Sequence, residues 1–141
     1  MKITALTITN KDAADVVITA VEGGTNYWAE VQEYNWSTWY EKDEARSNET
    51  YSFERVKDLP EDFVFVQIRE DADQVDPERF SNTWIPLTRE VIEKGVRLCF
   101  ERYPQLITVD EGDNGQVDFH VDASGADVIV QLAIFGEVIY G

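Results

Sequence analysis

One cysteine and one histidine among 141 residues remove several kinds of chemistry at the outset. A single Cys99 cannot build an intramolecular disulfide framework. It falls inside an apolar helical pattern, RLCFERY, and reads as a small buried hydrophobe. With His120 as the one histidine, a metal centre would consist mostly of carboxylates. The chain lacks GxGxxG, P-loop, CxxC, HExxH and GxSxG patterns. No cofactor is therefore expected, no catalytic residue is assigned, and an enzyme is disfavoured.

Long apolar runs are also missing. No segment approaches the ~20 apolar residues of a membrane span, and MKITALTITNKD is too short and polar for a signal peptide. The expectation is a soluble, cytoplasmic protein.

Positive charge is the third shortage. Twenty-eight acids face twelve bases, giving net charge −16, where a magnitude of about 2–8 is usual for a small domain. Such a charge disfavours direct binding to nucleic acid or to anionic membranes, both of which need clustered Lys and Arg. Disorder is disfavoured too, because 43% of residues are hydrophobic and 12% aromatic. A chain of this length favours one domain, residues 1–141.

Helical periodicity is clear in three places. Thr9 or Asn10 can cap a helix whose Ala13, Val16, Val17, Ala20 and Val21 share a face, stopped by Gly23 and Gly24 as left-handed caps. Thr88 caps a second, TREVIEKGVRLCFERY, with Pro104 just beyond it. A third, GADVIVQLAIF, ends at Gly136, and Ser124 with Asp127 resembles its capping box. Ala14-Asp15-Val16-Val17 before Gly24 echoes Ala126-Asp127-Val128-Ile129 before Gly136, as two helices packed alike on one sheet would produce, or, the favoured reading, chance convergence on an apolar helix.

Strands are expected at 2–8, from about Asn26 to Trp39, at 50–57 and at 63–69, the last three as an antiparallel meander. Asn114-Gly115 marks a hairpin, and EVIYG is apolar enough to dock as a further strand. The expected fold is α+β, a mostly antiparallel sheet covered on one face by three helices.

Three stretches are candidates for function. DEGDNGQVDFHVD places Gly112 and Val121 where an EF-hand needs oxygen ligands, so it reads as a hairpin. Its Asp118, His120 and Asp122 alternate as a solvated strand face, and no metal is assigned. The stretch EGGTNYWAEVQEYNWSTWY carries three of the four tryptophans. Trp28, Tyr34, Trp36 and Trp39 either pack a core or an interface, or line a pocket. The third is the acid distribution. Between Glu41 and Glu78 acids outnumber bases more than twofold, and after Arg102 the last 39 residues contain no Lys or Arg.

Carboxylates on a rigid scaffold can imitate phosphates and steer association with a basic groove. Glu41, Asp43, Glu44, Glu61, Asp62, Glu70, Asp71, Asp73 and Asp76 are the candidate partner-binding acids. The partner expected is a basic nucleic-acid-binding protein. The alternatives are a nucleotide-signal-sequestering protein that uses residues 27–40, and a virion structural or assembly protein. In the last, the apolar C-terminus mediates oligomers such as a homodimer.

AVEGGTNYWAEV at 20–31, TREVIEKGVRLC and GADVIVQLAIFGEVIYG at 125–141 together resemble a group of uncharacterised small acidic proteins. These are encoded by bacteriophages or prophages and by actinobacterial genomes. The resemblance covers about a third of the chain and transfers no site residue. It implies a phage setting, in which small acidic proteins often act as anti-CRISPR or antirestriction inhibitors that mimic DNA.

Overall fold

The computed structural model describes residues 7–42, 51–75, 78, 83–111 and 117–141, with backbone only at 51–54, 110–111 and 117–118. The expected strand at 2–8 lies outside these residues apart from its last two, which are not strand. The Asn114-Gly115 turn and the candidates Asp43, Glu44 and Asp76 also lie outside.

Helix α1 spans Asn10–Thr19. Thr9 and Asp12 close a reciprocal capping box at 3.0 and 3.1 Å. The helix then widens into a π-helical turn, Ala20–Gly24, closed by Thr25 N donating to Ala20 O at 2.8 Å. Gly23 and Gly24 are not left-handed caps as expected, for Gly136 is the one positive-φ glycine among the described residues. Gly24 is required by close approach instead: a Cβ there would sit 2.4 Å from Ala123 O.

The aromatic stretch is not one long strand. β1 covers only Ala29–Gln32, after which Glu33 turns the chain at φ 60°. A 3₁₀ turn at Trp36–Thr38 and the short β2, Tyr40–Lys42, follow. The remaining strands are β3 (Tyr51–Val56), β4 (Val64–Glu70), β5 (Ile85–Thr88), β6 (Thr108–Glu111) and β7 (Val117–His120). They divide among three antiparallel sheets: β1-β4-β5, β2-β3 and β6-β7. The expected meander is therefore split, because β4 pairs with β1 and β5 rather than with β3. A bulge between Val64 and Val66 interrupts the pairing with β5, and both Phe65 and Val66 are buried there. The chain is α+β, with antiparallel sheets and three α-helices among the described residues.

α2 (Arg89–Arg102) and α3 (Ala123–Phe135) make the principal helix pair. Thr88 caps α2 through Val91 N at 3.3 Å. α3 is capped two residues earlier than expected: Asp122 Oδ1 accepts from Gly125 N at 2.8 Å, and Gly136 ends it at φ 77°. Gly95 lets the helices touch, since a Cβ there would lie 2.3 Å from Ile129 O. The core joins Val16 and Val17 of α1, Ile92 and Val96 of α2 and Ile129 and Leu132 of α3 to Phe65 and Ile68 of β4. Cys99 is fully buried, and burial pushes its thiol up to about 11.

Asp127 is no capping residue. It is buried at the centre of a polar knot. Its Oδ1 accepts from Trp28 Nε1 at 2.7 Å, and its Oδ2 accepts from Tyr27 Oη at 2.9 Å and Gln131 Nε2 at 3.0 Å. Desolvation raises its carboxyl above the usual range, and these three donors oppose the rise. The C-terminal tail docks here, but not as a strand. Gln131 Oε1 accepts from Ile139 N and Tyr140 N, while Gln131 Nε2 donates to Tyr140 O at 2.8 Å. One side-chain amide thus takes the place of a neighbouring strand. Tyr140 stacks on Trp28 at 5.1 Å and its hydroxyl donates to Glu70.

Candidate functional site

The four aromatic candidates separate into two groups. Trp28 and Trp39 are buried in the core, each 1% exposed. Trp28 is engaged by Asp127 and Tyr140, and Trp39 meets Phe65 edge-on at 5.1 Å. Neither contacts solvent enough to serve as an interface. Tyr34 and Trp36 remain partly exposed, and Trp36 faces a groove of about 510 Å³.

α1 and its π turn form one wall of this groove, with Asp15, Val16, Ile18, Thr19 and Glu22. Asp15 and Glu22 are seven residues apart, two helical turns, so both carboxylates rise from one side of the helix. Trp36 from the 3₁₀ turn and Tyr40 from β2 form a second wall. Phe119 and His120 from β7, with Val121, close the third. Apolar surface therefore surrounds two acids.

The acids are held in place by tyrosines. Tyr40 Oη donates to Asp15 Oδ1 at 3.4 Å, and Tyr34 Oη donates to Glu22 Oε1 at 2.9 Å. Burial, followed by the neighbouring carboxylate in each case, raises both phenols well above their usual value. Both hydroxyls thus keep their protons and continue to donate. Lys11 Nζ reaches Asp15 Oδ2 at 2.9 Å, a half-exposed i,i+4 pair at the groove edge.

The candidate acidic residues are dispersed. Glu41 on β2, Glu61 and Asp62 in the turn before β4, and Asp73 in the turn after it are exposed. Asp71 is half-buried. Its backbone N–H donates to Trp28 O at 2.8 Å, and its Oδ1 accepts from Asp73 N at 2.9 Å. Glu70 does not belong to an exposed surface. It is 5% exposed and faces inward on β4, where the Tyr140 hydroxyl binds it. Its place at the strand's end, with alternate residues buried, explains the burial.

Asp15 and Glu22 were not among the candidate site residues read from the sequence. Their i,i+7 spacing was the available signal. Of the alternating trio, His120 lies at the groove and Asp122 caps α3. Among the described residues no cluster of His, Cys, Asp and Glu is arranged to hold a metal ion. No described helix is long and apolar enough to cross a membrane.

No family model matches the chain, and neither a curated protein nor a solved structure matches it.

Proposed function

We propose that this protein is a non-enzymatic binding protein that occupies a basic, nucleic-acid-binding groove of another protein. This is the role played by an acidic anti-defence inhibitor of phage type, acting on a host defence protein. The observation that carries it is the charge of −16, well beyond what solubility requires. Exposed carboxylates at Glu41, Glu61, Asp62 and Asp73 extend that charge over separate turns and strands. Several of the few cations already have partners within the chain. Arg89 and Arg97 bind Glu93, Arg102 donates to Gly136 O, and Arg69 binds Glu30 and lies over the Trp84 ring at 4.3 Å. What remains outward is dominated by acids, which favours electrostatic steering toward a basic partner.

The other readings have less support. A nucleotide would bring phosphates toward Asp15 and Glu22. In the tail, Tyr140 is already engaged by Trp28 and Gln131.

The test is capture of partners from a nuclease-treated bacterial lysate at low salt, followed by elution with rising salt. A nucleic-acid-binding protein that elutes early, and is not retained by a Glu61→Lys/Asp62→Lys/Asp73→Lys variant, supports the proposal. A captured protein indifferent to salt and to charge reversal contradicts it.

A further inference from the structure

We propose that the groove between α1, Trp36 and β7 is a receptor for a guanidinium group, filled by an arginine side chain of the basic partner. This rests on the basic-partner reading for the source of the arginine, but not for the chemistry of the groove.

With two carboxylates against one histidine, His120, the lining favours a cation over other ligand classes. An anion meets Asp15 and Glu22. A neutral apolar ligand would strip water from both carboxylates without replacing their hydrogen bonds, which is costly. A cation with an apolar stem satisfies both features. Ile18 and Phe119 receive the methylenes, the carboxylates receive the charge, and Trp36 is an aromatic wall beside them. Guanidinium suits this better than ammonium, being planar, weakly hydrated and able to stack while donating in a fork.

Geometry selects Glu22 as the principal acceptor. Lys11 already neutralises Asp15 through Oδ2. Tyr34 holds Glu22 through Oε1, which leaves Oε2 as the second acceptor of a residue that lines the groove. A volume near 510 Å³ lies within the ordinary range for ligand sites and exceeds one side chain. The arginine would thus enter with part of its own backbone. Free polyamines share the cationic chemistry but lack the planar fork.

The experiment uses the whole protein and the Trp36 indole N–H resonance, assigned with a Trp36→Phe variant. Three probes are titrated: an arginine blocked at both ends, its uncharged citrulline counterpart, and spermidine. The expected result is a saturable shift with arginine at about millimolar concentration, none with citrulline, and weaker binding of spermidine. Glu22→Gln, which keeps an oxygen for Tyr34, should weaken arginine binding about two- to fivefold. An equal response to citrulline, or no response to arginine, overturns the site. Tighter binding of spermidine overturns the partner arginine as occupant. The Glu61→Lys/Asp62→Lys/Asp73→Lys variant should retain the arginine response. Failure of partner capture is therefore separable from failure of the groove.

Discussion

Replacing Gln131 by glutamate changes one atom type and tests the polar knot that anchors the C-terminus. The wild-type amide is saturated: Oε1 accepts two backbone N–H groups, and Nε2 donates to Tyr140 O and Asp127 Oδ2. In Gln131→Glu the acceptor side is preserved, but an oxygen replaces Nε2. It then sits about 3 Å from two other acceptors, one of them the buried Asp127 carboxylate. Two donor contacts are lost at about 1–3 kcal/mol each, and a second charge is placed where the first is already desolvated. The expected loss near neutral pH is about 3–5 kcal/mol, as for a buried pair with one partner removed. That is a large fraction of the ~5–15 kcal/mol that stabilises a typical domain.

The pH dependence carries the sign. Burial and like charge both raise the folded-state pKa of the carboxyl pair above the ~4 of the unfolded chain. The folded state therefore binds the extra proton more readily. Stability is fully present below the unfolded value and is lost as pH rises through the folded one. Urea unfolding followed by tryptophan fluorescence at about pH 5 and pH 7.5, with wild type at each pH, reads this difference. The deficit of the variant should be smaller at the lower pH. Gln131→Leu, which removes the same bonds without adding charge, should show a smaller additional slope, from the loss of one donor to Asp127. A Gln131→Glu protein within ~1 kcal/mol of wild type at both pH values would refute the knot.

Gly95→Ala should destabilise by about 2 kcal/mol or more, although alanine favours a helix by ~1 kcal/mol. The new Cβ meets Ile129 O at 2.3 Å and Ala133 Cβ at 2.9 Å; an unchanged urea midpoint would show that α2 and α3 are not so close. Glu33→Gly should stabilise by about 0.5–1 kcal/mol by relieving the left-handed backbone at φ 60°, and a lower midpoint would contradict it. Cys99, fully buried with its thiol pushed up to about 11, should react with a thiol reagent at pH 8 at least about a hundredfold more slowly than after unfolding. Rapid labelling of the native protein would contradict its placement.

Local signals made the helices legible. Thr9, Thr88 and Gly136 act at their own ends of α1, α2 and α3, and the apolar spacing of α1 and α2 marks their buried faces. The strand expected from Asn26 to Trp39 failed for a physical reason. Tyr and Trp suit both a pleated sheet and any large core. In this segment they fill a core through side-chain contacts from Asp127, Tyr140 and Phe65, all distant in sequence. Gly23 and Gly24 signalled a helix end, but the reason for Gly24 is the approach of Ala123, which no local pattern contains. The pairing of β4 with β1 rather than β3 likewise depends on long-range register. Asp127 looked like a capping residue because S-x-x-D is a local pattern, whereas Asp122 lay nearer the true start of α3. The groove combines α1, Trp36 and β7, and only the fold brings these together.

The central claim is that the acidic surface takes the place of nucleic acid on its partner. The most direct measurement loads the captured partner complex at constant low salt and adds increasing double-stranded DNA or structured RNA. An uncharged polymer of similar size serves as the control. Release of the partner by one of the nucleic acids, in proportion to its affinity for that nucleic acid and not by the neutral polymer, is the predicted result. A complex that binds DNA or RNA without releasing the acidic protein would contradict the claim.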